Sequence, residues 1–439
     1  MAYTLGICAA IIMLAGCGGS QIGAPIGMQQ NGLAALHSGR ANFPLQNPDA
    51  ETIPLTIVNS TGNYANKNVY FLLYGQGVAP DKKWYHVVNA AGKMKLCTST
   101  NGKYSADYSF NLAKVSTIQI PTMRAARLYI SFNKKLLLIV NEKGVPSPPK
   151  ANNSHASNVN YNTIWDFVEW TYNPAFPKGS GWNGNITNVD ATNIAMQFNV
   201  VGSDETGKRL DLTSGMKPGD YSMFRASLQG NPDFKNLILP KTQRVLSPAD
   251  GIASEASPGG PVFSPTYLDD YLNKVWTKYE TDSLTMETNL FGQWAGQVKG
   301  GELVFTQQNG SPKLDPVVFS KPTTLQAFAN DNICVSGCKK KGEWQQEDVN
   351  NQLRSAFLAA IMRSTLLTDT TIGIKYESKY CKESENFYQA TTTNVYAKYL
   401  HANALEGRAY GFGFDDTCDQ SSFRVVRIPK KLTVKLVRD

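Results

Sequence analysis

Ile164-Trp-Asp-Phe-Val-Glu-Trp-Thr171 decides how the first half of this chain reads. Its side chains alternate between two environments. Asp166, Val168 and Trp170 share one face of an extended segment, and Phe167, Glu169 and Thr171 share the other. A period of two marks a strand in a sheet with unlike faces. Working outward, Arg127 to Phe132 and Ile194 to Val201 also alternate, Val69-Tyr-Phe-Leu-Leu-Tyr74 is a further strand, and Leu136 to Val140 is an apolar run. Asn/Gly turns separate these pieces, and no helical period intervenes between Thr52 and about Leu212. A β-sandwich or barrel is the expectation.

The period changes after Ser264-Pro265. Tyr267, Leu268, Tyr271, Leu272, Val275, Trp276 and Tyr279 recur at helical spacing, with proline in the first turn. Further helices are expected over about Glu347 to Leu367 and about Asn394 to Leu405, with strand-like pieces such as Glu302 to Phe305 between. A chain of 439 residues exceeds what one core usually holds. The expected fold class is therefore mainly β with an α+β second domain: a β-barrel or sandwich over 51–250 and a mixed α/β domain over 251–419. The alternating run Phe423 to Val437, within about 420–439, is placed to return to the first domain.

Leu5 to Leu14 is uncharged, apolar and too short to span a bilayer, and it runs into Leu14-Ala15-Gly16-Cys17. The tetrapeptide resembles a bacterial lipobox, which implies a signal peptide over 1–16, lipidation of Cys17 and a Gly- and Gln-rich linker over 17–50. An exported protein anchored to the membrane is expected, or a secreted one if Cys17 carries no lipid. An oxidising compartment favours disulfides. Cys334 with Cys338, and Cys381 with Cys418, are candidate pairs that leave Cys97 free, and the sequence leaves other pairings open. The only tight basic run in a chain of net charge +8 is Lys339-Lys340-Lys341, read as a solvated loop rather than a nucleic-acid contact. None of the four histidines lies at ligand spacing from a cysteine pair, so no metal site is expected.

With no Gly-x-Ser-x-Gly elbow and no phosphate loop, paired carboxylates carry the chemistry. Glycosidic cleavage needs one protonated carboxyl for the leaving oxygen and one ionised carboxylate to activate water or attack. Glu169, between aromatic neighbours, is poorly solvated and suits the acid. Asp190 follows the turn-rich Gly179-Ser-Gly-Trp-Asn-Gly-Asn185 and opens the next strand, which suits the partner. Taken alone, a strand glutamate beside an aromatic is commonly a surface residue.

The words around it say more. Glu169-Trp-Thr-Tyr-Asn173, Trp182-Asn-Gly-Asn185 and Thr187-Asn-Val-Asp190 resemble the active-site region of glycoside hydrolase family 64, the laminaripentaose-producing β-1,3-glucanases of the thaumatin-like superfamily. The likeness continues through Tyr271 to Tyr279, Lys321 to Thr324, Arg363 to Leu366 and His401-Ala-Asn…Phe414-Asp-Asp416. It implies a thaumatin-like domain beside a mixed α/β domain, with a wide groove across both. It also implies inverting hydrolysis of β-1,3-glucan to short laminari-oligosaccharides by a monomer without cofactor. Glu169 would be the general acid and Asp190 the general base, with Thr171, Asn173, Trp182, Thr187, Asp415 and Asp416 contacting sugar. His401 and Asn403 read as packing or capping residues, and Trp165 and Trp170 as either stacking platforms or core. The competing expectation is a wall lectin that binds β-glucan without turnover, which would need neither a proton donor nor a water base.

Overall fold

The computed structural model describes residues 52–439 apart from 79–80, 156, 175–180, 255–259 and 341. The expected signal peptide over 1–16, Cys17, the expected linker and residues 175–180 lie outside the described residues.

Two sheets form the first layer pair. One runs in the order Arg209–Gly215, Met196–Ser203, Ile428–Leu436, Thr52–Asn59, Thr117–Pro121. The other runs Arg424–Val426, Gly181–Ile186, Ile164–Asn173, Met123–Phe132, Val69–Gln76, Trp84–Val87, Met94–Leu96, with Phe110–Asn111 also on Val69–Gln76. Between them lies one continuous core. Leu55, Ile57, Ile118, Phe198, Val200, Leu432 and Val434 enter from the first sheet, and Phe71, Leu73, Leu128, Ile130, Val168 and Trp170 from the second. Strict alternation produces this. Met196–Ser203 buries every other residue along its whole length. Near its C-terminus the chain crosses between the sheets. Arg424–Val426 edges the larger one, and Ile428–Leu436 enters the smaller one parallel to Thr52–Asn59 and antiparallel to Met196–Ser203.

The mixed region holds a six-stranded sheet in the order Cys334–Ser336, Val317–Phe319, Glu302–Gln307, Gln293–Lys299, Leu284–Glu287, Thr371–Gly373. The helix Asp269–Thr281 buries Tyr271, Leu272, Val275, Trp276 and Tyr279, the stripe read from the sequence. The long helix is Trp344–Met362, and it stops before the expected Leu367 because Ser364 takes a left-handed φ of 56°. The late helix is Val395–Asn403, capped by the Asn394 side chain, which accepts from Ala397 N–H.

A helix over Asp220–Gln229 was not among the expected elements. It buries Tyr221, Phe224 and Leu228, and Phe224 meets Tyr396 edge-on at 5.7 Å between ring centroids. Residues from Tyr221 to Ile252 thus share their core with the mixed region. The same core reaches the outer face of the eight-stranded sheet through Tyr74, Tyr129, Trp165 and Phe167. Disulfides join Cys334 to Cys338 and Cys381 to Cys418, and Cys97 is free and buried.

Candidate active site

Glu169 lies mid-strand in Ile164–Asn173, with Arg127 directly across on one neighbouring strand and Asn185 on the other. The alternation holds. Val168, Trp170 and Tyr172 fill the sandwich core, while Glu169, Thr171 and Asn173 stay half-buried on the outer face. Gly184 lets the neighbouring strand approach, since a Cβ there would come within 2.7 Å of Trp170 Cβ and 2.5 Å of the Glu169 carbonyl. The register slips between Trp170 and Tyr172, opposite Ala125, whose φ is 46°. At this bulge the Ala125 N–H donates to Thr171 Oγ1 at 3.3 Å, which fixes the Thr171 side chain two residues from Glu169.

Asp190 lies beyond the next strand, in a segment pinned from several sides. Asn188 donates its N–H to the Tyr410 carbonyl at 2.8 Å and accepts at its own carbonyl from Tyr396 Oη at 2.6 Å. Ser247 N–H donates to the Asp190 carbonyl at 2.8 Å, and Ala191–Thr192 then pairs with Val245–Leu246. Asp166, buried on the glutamate strand, ties that strand to the aspartate segment: its Oδ2 accepts from Asn193 N–H at 2.8 Å and Ile194 N–H at 3.2 Å. The expected arrangement differs here in one respect. Residues 181–186 form the strand antiparallel to that of Glu169 rather than a connecting loop, and Asp190 follows this strand.

The two carboxyls act on one another. Burial raises the Glu169 pKa, the Arg127 cation opposes it, and the charge of Asp190 adds to the rise, while Asn185 holds the carboxylate by a side-chain hydrogen bond. Solvent still reaches Asp190, yet the surrounding protein disfavours its charge enough to raise its pKa, again against the pull of Arg127. Asp250, in the short helix Pro248–Ile252, is pushed well above the carboxylate range by burial and by the charge of Asp190, and its Oδ1 accepts from Asn152 Nδ2 at 2.7 Å.

Other expected sugar contacts fall elsewhere. Trp182 is a correction: its side chain is fully buried in the sandwich core against Phe198, at 5.3 Å between ring centroids, and presents no face to a ligand. Trp165 and Trp170 are core residues as well. Asp415 is a second correction. Its carboxylate is wholly buried and satisfied by Gly411 N–H at 2.9 Å, by His401 Nε2 at 3.0 Å and by Arg363 at 3.4 Å. His401 thereby packs and positions, its Nδ1 lying 2.8 Å from the Gly407 carbonyl, and Asn403 donates to the Tyr399 carbonyl. Asp416 is different. Its Oδ1 is buried with no hydrogen-bond partner among the described residues, and burial pushes its pKa up to about 7. Tyr410 feels the charges of both Asp416 and Glu169, so this segment of the mixed region borders the glutamate. Thr187 is buried between Asn185 and Asp190. Arg127, Asn185, Asp250 and Tyr410 escaped the sequence reading. Among the described residues no group of three or more His, Cys, Asp or Glu is placed to hold a metal ion.

The family model described as Beta-1,3-glucanase, that of glycoside hydrolase family 64, matches residues 51–436. The chain belongs to this family. It is 28% identical over 332 residues to a glucan endo-1,3-beta-glucosidase of Cellulosimicrobium cellulans, covering 73% of this chain and 53% of that protein. A glucan endo-1,3-beta-glucosidase of an Arthrobacter species is 29% identical over the same shares. The chain thus spans about half the length of these curated relatives. Among solved structures, a laminaripentaose-producing beta-1,3-glucanase in complex with laminaritetraose is similar at a TM-score of 0.70 and 25% identity, over 88% of this chain and 99% of that one. A family 64 β-1,3-glucanase domain from Clostridium beijerinckii has the same fold at a TM-score of 0.70 and 24% identity, over 90% of this chain and all of that one. The family 64 fold, a β-sandwich joined to a mixed α/β region, is the architecture described above.

Proposed function

We propose that this family 64 chain hydrolyses β-1,3-glucosidic linkages of β-1,3-glucan with inversion. Glu169 serves as general acid, Asp190 as general base, and short laminari-oligosaccharides are released. What supports this reading is Glu169 held mid-strand with its Oε2 3.6 Å from Arg127 Nε, and a solvent-exposed Asp190 near enough for its charge to act on Glu169. Burial favours the protonated form of Glu169, and that proton goes to the departing O3. Asp190, open to water, accepts a proton as that water attacks C1 from the opposite face. In inverting enzymes the carboxyls stand roughly 6.5–9.5 Å apart to admit the water. Thr171, Asn173, Thr187 and Asp416 are proposed to contact sugar. Asp416 brings an acceptor oxygen that no described residue occupies. Kinship with enzymes named for β-1,3-glucan cleavage supports the choice of linkage.

The test is incubation with laminarin and with a β-1,4-glucan, followed by sizing of the products. Laminari-oligosaccharides from laminarin alone are expected, and release from the β-1,4-glucan alone contradicts the reading. Export and anchoring through lipidated Cys17 are also proposed, on the strength of the Leu14–Cys17 motif. The C17S variant is then expected to leave the membrane fraction, and unchanged fractionation contradicts the anchor.

A further inference from the structure

Arg127 stands where ionisable side chains line up across three adjacent strands. Tyr74 is its cross-strand neighbour on one side and Glu169 on the other. The guanidinium Nε lies 3.6 Å from Glu169 Oε2, and the group sits 5.3 Å from the centroid of the Phe167 ring, which limits where it can swing. Asp190, beyond the strand Gly181–Ile186, lies within electrostatic reach of the same cation. The guanidinium is thus the ion-pair partner of Glu169 and a cation within reach of Asp190.

We propose that Arg127 is the fixed counter-ion of the reaction, a positioning residue that stays paired with a single negative charge while that charge moves from Asp190 to Glu169 in each turnover. The inference rests on the two-carboxylate reading above. At the start Glu169 is protonated and Asp190 is anionic. The C1–O3 bond breaks as the Glu169 proton goes to the departing oxygen. The water oxygen bonds to C1, and its proton goes to Asp190. At the end Glu169 is anionic and Asp190 neutral, and the pair carries one negative charge throughout. A cation within reach of both keeps that charge compensated at both ends of its path, in a site where an unpaired carboxylate is costly. The planar fork of a guanidinium can face two partners, while the positive charge itself, which a lysine also carries, is what lowers the carboxyl pKa values.

Other groups set the background. Tyr74 and Tyr129 flank Arg127; Asn185 bonds Glu169; Asp250, with Arg244 and Lys150 nearby, faces Asp190; Tyr410, with Asp416, faces Glu169. Tyr74 and Tyr129 lose a hydrogen bond to Arg127 in such a variant, but burial holds both phenols above their usual range, so they stay neutral and a shift in the pH profile reports the cation.

The experiment is the pH profile of kcat/KM on laminarin for the wild type, R127K, R127M and R127Q, with laminari-oligosaccharide binding followed by calorimetry. A nearby cation lowers a carboxyl pKa by about 1–3 units, so removing it raises both. The acid limb, set by Asp190 ionising, and the basic limb, set by Glu169 losing its proton, should both move to higher pH by about 1 unit or more in R127M and R127Q. The rate should fall about 100-fold, binding should stay within a few-fold, and R127K should hold the limbs in place. Limbs that stay put in the folded neutral variants overturn the proposal, whatever happens to the rate. If R127M does not fold, the more polar R127Q decides by the same criterion. If neither folds, R127K decides: limbs that move despite the retained charge overturn it, and limbs that stay support it. E169Q and D190N are assayed in parallel. If these retain the rate, the two-carboxylate reading itself falls. If they lose it while the Arg127 limbs stay fixed, only the counter-ion role falls.

Discussion

At the scale of single residues, the site is governed by how much water each carboxyl keeps. Glu169 exposes 23% of its side chain, which leaves room for a leaving oxygen while burial still favours the proton. Asp416 shows the same force without a nearby cation strong enough to offset it, and its pKa is pushed up to about 7. For an acid whose folded pKa lies above the unfolded one, stability is full below the unfolded value, about 4, and falls as pH rises from there toward the folded value. The D416N variant should therefore gain thermal stability over the wild type above pH 7 and differ little near pH 4, while its KM for laminarin rises. A melting series across that range reads the first effect, and a constant difference at every pH contradicts the assignment. Asp415 matters as the buried partner of Arg363. D415N leaves the buried Arg363 uncompensated and should cost about 3–5 kcal/mol in chemical denaturation, where a surface carboxylate would cost almost nothing.

At the scale of elements, the strand Ile164–Asn173 was legible because alternation is a local pattern. Phe167, Glu169 and Thr171 fell on the face where the structure has them. What stands across from them was not legible. Arg127 and Glu169 are 42 positions apart in the sequence, and nothing local reports that their strands pair in that register. Asp250 was hidden for a similar reason, since it meets Asp190 only because Leu246 pairs with Ala191. Trp182 was misread because a tryptophan among Gly and Asn looks like an exposed loop, whereas those glycines admit a close strand pairing that folds the indole inward. This difference is testable. W182F should keep the KM for laminarin within about twofold, whereas W182A should lose about 3–5 kcal/mol of stability through the cavity it leaves. A large KM change in a well-folded W182F would restore the sugar contact.

At the scale of the whole molecule, the chain doubles back on itself. Ile428–Leu436 lies at the centre of the five-stranded sheet, between Thr52–Asn59 and Met196–Ser203, so these distant strands fold as one unit. The sequence signalled the return through the alternating run after Phe423, but not the shared core running from Trp165 into the helices, because that core joins side chains far apart in the chain. Removing residues 428–436 should abolish cooperative unfolding of the sandwich rather than trim an edge, as circular dichroism during a melt would show. The site depends on this closure. Asn188 is held by Tyr396 and Tyr410 from the mixed region, and Asp190 lies two residues further on.

The division of labour between the two carboxyls is tested most directly by hydrolysis of laminarin and of a β-laminaribiosyl fluoride by E169Q and D190N. Fluoride departs without a proton, so E169Q should lose laminarin hydrolysis by about 10²–10⁴-fold yet cleave the fluoride near the wild-type rate, whereas D190N should lose both. An E169Q enzyme that keeps laminarin turnover, or a D190N enzyme that cleaves the fluoride at full rate, would contradict the account.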